Sequence, residues 1–163
     1  MSSQEQSRAE LGRLVNELRR ARRVLIDSAQ ALGPGSLDTR GAGEQGWTVR
    51  RAIEYCHANE RWHFTRTFNF FEPEVKLYDS PAVLADNDLP SDMQRTLARE
   101  CAEVWLAGRE TEMWLDIIES ESLDSIRHAS LGWPQGGWTI REVFRRVTAI
   151  YAEKAKDLQD MRR

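Results

Sequence analysis

The chain has 163 residues, 40% of them hydrophobic and 30% charged, and a formal net charge of −3; these totals fit one soluble globular domain, residues 1–163, with a single core. The acidic balance removes the cationic attraction to phosphate on which nucleic-acid binding rests, and the opening segment has neither a signal-peptide core nor an apolar run long enough to span a membrane. The two cysteines, Cys56 and Cys101, each fall within an apolar pattern and read as reduced, buried thiols of a cytoplasmic protein.

The first periodic segment runs from about Gln4 to Leu32, where Leu11, Leu14, Val15, Leu18, Leu25, Ser28, Ala29 and Leu32 recur at threes and fours, the period of an amphipathic helix. Gly33 and Pro34 end it. Arg19, Arg20, Arg22 and Arg23 share this segment with Glu5, Glu10 and Glu17 and read as a solvated helix face rather than a membrane-surface one. The stretch GPGSLDTRGAGEQG that follows carries no side-chain pattern and reads as a loop.

A second helix is expected from Thr48 to about Phe71, stopped by Pro73, with Val49, Ala52, Ile53, Cys56, Glu60, Phe64, Thr67, Phe68 and Phe71 inward. After a long connection the third starts at Ser91, where Ser91 and Gln94 have capping-box spacing. Leu97, Cys101, Val104, Gly108, Thr111, Leu115 and Ile118 then alternate at fours and threes, a seam suited to near-parallel packing. The segment SIRHASLGW reads as a loop over one end. The fourth helix covers Thr139 to about Met161, with Thr139 and Glu142 as another capping box and Ile140, Val143, Val147, Ile150, Tyr151, Leu158 and Met161 inward. The expected fold is all-α: a four-helix bundle with long connections after helices one and two and an irregular loop before helix four, not necessarily alternating up and down.

Two of these helices open with one phrase. GWTVRRAIEY (Gly46–Tyr55) and GWTIREVFRR (Gly137–Arg146) stand 91 residues apart. In each copy the Thr is placed to cap the helix, the Gly lets the backbone turn into it, and the Trp before the cap can staple the first turn. The repetition implies a duplicated helix pair, with both openings expected at one end of the bundle.

With this phrase opening helices two and four of a chain of this length, the sequence resembles the DinB-like four-helix bundles, related to YfiT-type metal-dependent hydrolases and to bacterial low-molecular-weight-thiol transferases. The resemblance covers the whole chain by layout and favours dimers. It also implies, in members with chemistry, a divalent metal held by three His: one eight residues after the first Trp, two at eight and twelve residues after the second. Those positions are Tyr55, Arg146 and Ile150 here. A neutral phenol ligates poorly, a guanidinium repels a cation and Ile has no donor, so no metal cofactor is expected there.

The histidines are His57, His63 and His128. Glu54 with His57, and Glu60 with His63, have the Glu-x-x-His spacing of carboxylate-bridged metal bundles, so the alternative is a relocated zinc or nickel site on His57, Glu60 and His63, serving a hydrolase or thiol transferase. The plainer reading pairs Glu60 with an Arg or Trp across the bundle. Cys56 and His57, adjacent on a helix, point about 100° apart and make no thiolate dyad.

If Tyr55, Asn59, Arg146 and Ile150 face one another, with Trp62 one turn on, they line a cavity of positive fixed charge suited to a carboxylate or phosphate. The structural alternative has Arg146 paired with Glu54 or Glu60. The expected function is therefore a DinB-like domain without metal chemistry, non-catalytic or binding a small anionic ligand. Six tryptophans exceed what such a core needs. Trp133, in a loop, suggests a contact surface, hence a homodimer or partner-binding module, or a lid on the cavity.

Overall fold

The computed structural model describes residues 2–77, 96–125 and 137–162 and is mostly helical. Helix α1 spans Ser3–Leu32, α2 Val49–Phe71, α3 Leu97–Met113, the short α4 Asp116–Glu119, and α5 Ile140–Asp160. A side chain caps the start of each long helix. Ser2 and Glu5 form a reciprocal capping box, and the hydroxyls of Thr48, Thr96 and Thr139 accept from the N–H groups of Arg51, Arg99 and Glu142. Gly46 and Gly137 lead into two of these caps at φ 63° and 75°, the left-handed region that favours glycine. The expected box at Ser91 and Gln94 lies outside the described residues.

Two expectations need correction. The third helix was expected to run through Ile118, but it ends at Met113, after which Trp114, Leu115, Ile117 and Ile118 donate to carbonyls three residues back. This tighter winding changes the angular step and turns Ile118, on α4, fully into the core. The patternless loop after α1 holds a 3-10 turn, Pro34–Ser36, and a two-stranded antiparallel pair, β1 (Arg40–Ala42) with β2 (Trp47–Thr48). Strands this short give no alternation to read in a sequence.

The four long helices pack as a closed ring in the order α1, α5, α2, α3 and back to α1. Their directions follow from which ends meet. Arg141 near the start of α5 bonds Glu10 near the start of α1, and Gln159 bonds Ser28 near both ends, so α1 and α5 run parallel. Arg19 reaches Glu112 while Arg23 reaches Trp105, so α3 runs against α1. Phe64 packs on Phe144 and Lys154 on Trp47, so α2 runs against α5, and with α3. These parallel neighbours, α2 and α3, are joined by the long connection between Phe71 and Leu97.

Buried residues of all four long helices form one core, with Phe64, Phe68, Phe144 and Tyr151 its largest fully buried side chains. Among the described residues no helix is long and apolar enough to cross a membrane.

Candidate functional site

Each long helix sends a polar side chain to the centre of the ring, and those of α1, α3 and α5 meet on Glu60 of α2. Arg22 of α1 donates from Nε to Glu60 Oε1 at 2.8 Å and from Nη2 to Oε2 at 2.7 Å. The Thr111 hydroxyl of α3 donates to Oε2 at 2.6 Å, and the Tyr151 hydroxyl of α5 to Oε1 at 2.7 Å. Each carboxylate oxygen thus accepts two hydrogen bonds, which fills its lone pairs.

The side chains of Glu60 and Arg22 are 0% and 3% exposed. Charges this deep are tolerated only when paired and fully hydrogen-bonded. Burial works against the Arg22 charge, yet the Glu60 carboxylate and its hydrogen bonds outweigh it and leave the guanidinium more basic than usual. Burial first, and then the Glu60 charge, push the Tyr151 phenol well above its ordinary value, so it remains a donor. Gly108 makes the space: a Cβ there would stand 2.8 Å from Arg22 Cζ.

The relocated trio is not brought together. His57 turns to α3, with Nε2 at 3.4 Å from Glu100 Oε2 and Nδ1 at 3.3 Å from Arg61 Nη1. Arg61 in turn pairs with Glu103 and Glu110 at 3.1 Å each. His63 stacks on Trp138 with ring centres 5.1 Å apart. The reason is angular: residues six apart on a helix differ by about 120° around its axis, so His57 and His63 face different neighbours while Glu60 takes the centre. Among the described residues no three His, Cys, Asp or Glu side chains are grouped to hold a metal ion. His128 lies outside the described residues.

Nor do the positions that the resemblance assigns to a metal fit one. Tyr55 is half-buried, its ring edge-on to Trp47 at 5.1 Å and 5.5 Å from Lys154 Nζ. Ile150 is buried in the core and Arg146 is exposed. Asn59 spends its amide on the Tyr55 carbonyl, and Trp62, buried, is covered by the Arg66 guanidinium at 4.7 Å. Arg146 shares no hydrogen bond or ion pair with Tyr55, Asn59, Glu54 or Glu60. The cation that reaches Glu60 is Arg22 instead. Sequence reading placed Arg22 on a solvated face, although it falls four residues after Leu18 and three before Leu25, on the inward stripe. That spacing was the available signal.

The two opening tryptophans also differ from expectation. Because α2 and α5 are antiparallel, Trp47 and Trp138 lie at opposite ends of the ring, not at one. Each reaches the other copy: Lys154 Nζ sits 4.6 Å above the Trp47 ring, and His63 stacks on Trp138. His63 follows Trp47 by 16 positions and Lys154 follows Trp138 by 16, so the exchange is reciprocal. Beside it Cys56, a free and buried thiol, lies 3.9 Å from the Ile150 carbonyl, and burial pushes its ionisation well above the ordinary value. Trp133 lies outside the described residues. Comparison of the chain with known families, with curated proteins and with solved structures found no match in any of the three.

Proposed function

We propose that the chain is a DinB-like bundle without the family's three-His metal site, a cytoplasmic protein that binds a small anionic ligand rather than catalysing. The observation that carries this reading is the saturation of Glu60, a fully buried carboxylate: Arg22, Thr111 and Tyr151 fill its lone pairs, and the adjacent guanidinium opposes any divalent ion. The repeated helix openings, GWTV and GWTI, support the family reading. Two free, buried cysteines support a reducing compartment.

The test is elemental analysis of tag-free protein after incubation with zinc, nickel and manganese and then gel filtration. Less than about a tenth of an equivalent per chain is expected, and close to one equivalent overturns the reading, because a resident metal site holds its ion through such a step.

A homodimer is a second reading with its own support. α2 and α3 finish at the same end, and there Met113 and Trp114 are 64% and 37% exposed, with Phe70 exposed on α2; apolar groups gathered in this way mark contact surfaces. Sedimentation equilibrium decides it: a dimer that Trp114→Glu dissociates is expected, and a monomer at all concentrations contradicts it.

A further inference from the structure

Between α1 and α3 a cleft of about 330 Å³ opens beside the buried Arg22. Arginines gather on it: Arg19, Arg20, Arg22, Arg23 and Arg109, against the single carboxylate of Glu112. Two of the five are already neutralised, Arg22 by Glu60 and Arg19 by Glu112 at 2.5 Å. Arg20 and Arg109 have no ion-pair partner among the described residues, and Arg23 has only the face of Trp105, 5.5 Å away. A chain of net charge −3 thus concentrates uncompensated cations in one concavity, against their mutual repulsion.

The floor of the cleft is more telling than its rim. Arg22 commits Nε and Nη2 to Glu60, but its Nη1 makes no hydrogen bond; the Glu112 carboxylate stands 3.9 Å away. That N–H edge opens into the cleft, where water or a ligand oxygen can accept from it. The edge is open because residue 108 is glycine: a Cβ there would come within 2.9 Å of Nη1. On the wall, Trp105 is 39% exposed, a flat surface beside the charges.

We propose that this cleft binds a small, flat, phosphorylated molecule: an anionic oxygen on Arg22 Nη1, further phosphate oxygens on Arg20, Arg23 and Arg109, and the ligand's ring on Trp105. Guanidinium forks suit phosphate oxygens, and indole faces suit planar rings. The cleft volume is in the usual range for small-molecule sites. The proposal rests on the anion-binding reading above and gives it a location. It can fail on its own, because metal content is measured separately.

Isothermal titration calorimetry with ADP, inorganic pyrophosphate and adenosine tests it, on the wild type, on the double variant Arg20→Gln/Arg109→Gln and on Trp105→Ala. All three altered side chains are exposed, and circular dichroism checks that the fold is kept. ADP is expected to bind more tightly than pyrophosphate, and adenosine not to bind. The double variant should weaken ADP by at least about tenfold, while Trp105→Ala weakens ADP and leaves pyrophosphate unchanged. Absence of binding by both ADP and pyrophosphate overturns the proposal, as does an ADP affinity untouched by the double variant. Equal affinity for ADP and pyrophosphate overturns the flat-ring part.

Discussion

Glu60 and Tyr151 stand at equivalent places in the two copies of the repeated segment, 91 positions apart, and they touch, the phenol donating to the carboxylate at 2.7 Å. In a two-fold arrangement only positions at the axis meet their own equivalents, whereas positions away from it contact in reciprocal pairs. Trp47 on Lys154 and Trp138 on His63 are such a pair. The helices that open with the repeated phrase therefore meet at positions filled differently, one with an acid and one with a phenol, and Arg22 and Thr111 complete the contact from the flanking helices.

Removing one donor from this cluster leaves a buried lone pair unsatisfied. Tyr151→Phe and Thr111→Val should each lower stability by about 1–3 kcal/mol. Urea unfolding followed by circular dichroism checks this, with the midpoint falling and the slope unchanged.

Glycine at position 108 is a packing requirement, and a sign reversal between two glycines exposes it. Gly108→Ala puts a methyl 2.8 Å from Arg22 Cζ and should destabilise the protein. Gly12→Ala, also within a helix but with nothing inside 4 Å of the new Cβ, should stabilise it by up to about 1 kcal/mol through helix propensity alone. Thermal melts of the two variants make the comparison.

The alkaline limb of stability follows from the buried thiols, Cys101 raised by burial and Cys56 raised further. Burial holds the folded Cys56 thiol protonated well past its ordinary value of 9.0, whereas the unfolded chain releases that proton near 9.0. Stability is then whole below that pH and declines as pH rises above it. Cys56→Ala should flatten the decline between pH 9 and the onset of Tyr151 ionisation. In the native protein a thiol reagent should label Cys56 only as fast as the chain unfolds.

In acid the relevant group is Glu10, whose two oxygens accept from Arg141 Nε and Nη2 at 2.6 and 2.9 Å. The Arg141 hydrogen bonds hold its carboxyl below the ordinary value of 4.5. A depressed carboxyl contributes stability that is present above 4.5 and lost as pH falls through the folded value. Glu10→Gln should therefore melt lower near neutrality, with the difference from wild type closing in acid. Arg141 also bonds Asp124, so this contact ties α1, α5 and the segment after α4 together.

Helix positions were legible because periodicity and caps are local. Leu11 to Leu32, Val49 to Phe68 and Ile140 to Leu158 carry their own burial pattern, and Thr48 and Thr139 announce their helices. The end of α3 was not legible: nothing at Met113 or Trp114 breaks a helix, and the turn there is set by what Ile118 gains in the core. The centre was half legible. Glu60 on an inward stripe demanded a cation, but the choice among the arginines depends on which helix lies opposite, and helix order and direction are tertiary facts. The same gap misplaced Arg146 and put Trp47 and Trp138 at one end.

The most direct test of the account is the coupling between Arg22 and Glu60, measured by urea unfolding of Arg22→Met, Glu60→Leu and the double variant. Each single change should cost about 3–5 kcal/mol, because it strands a buried charge, and the double variant should lose less than the sum by several kcal/mol. Additive losses, or a Glu60→Leu protein as stable as the wild type, would show that the carboxylate at the centre is not held by this pair and would contradict the sealed, metal-free reading of the bundle.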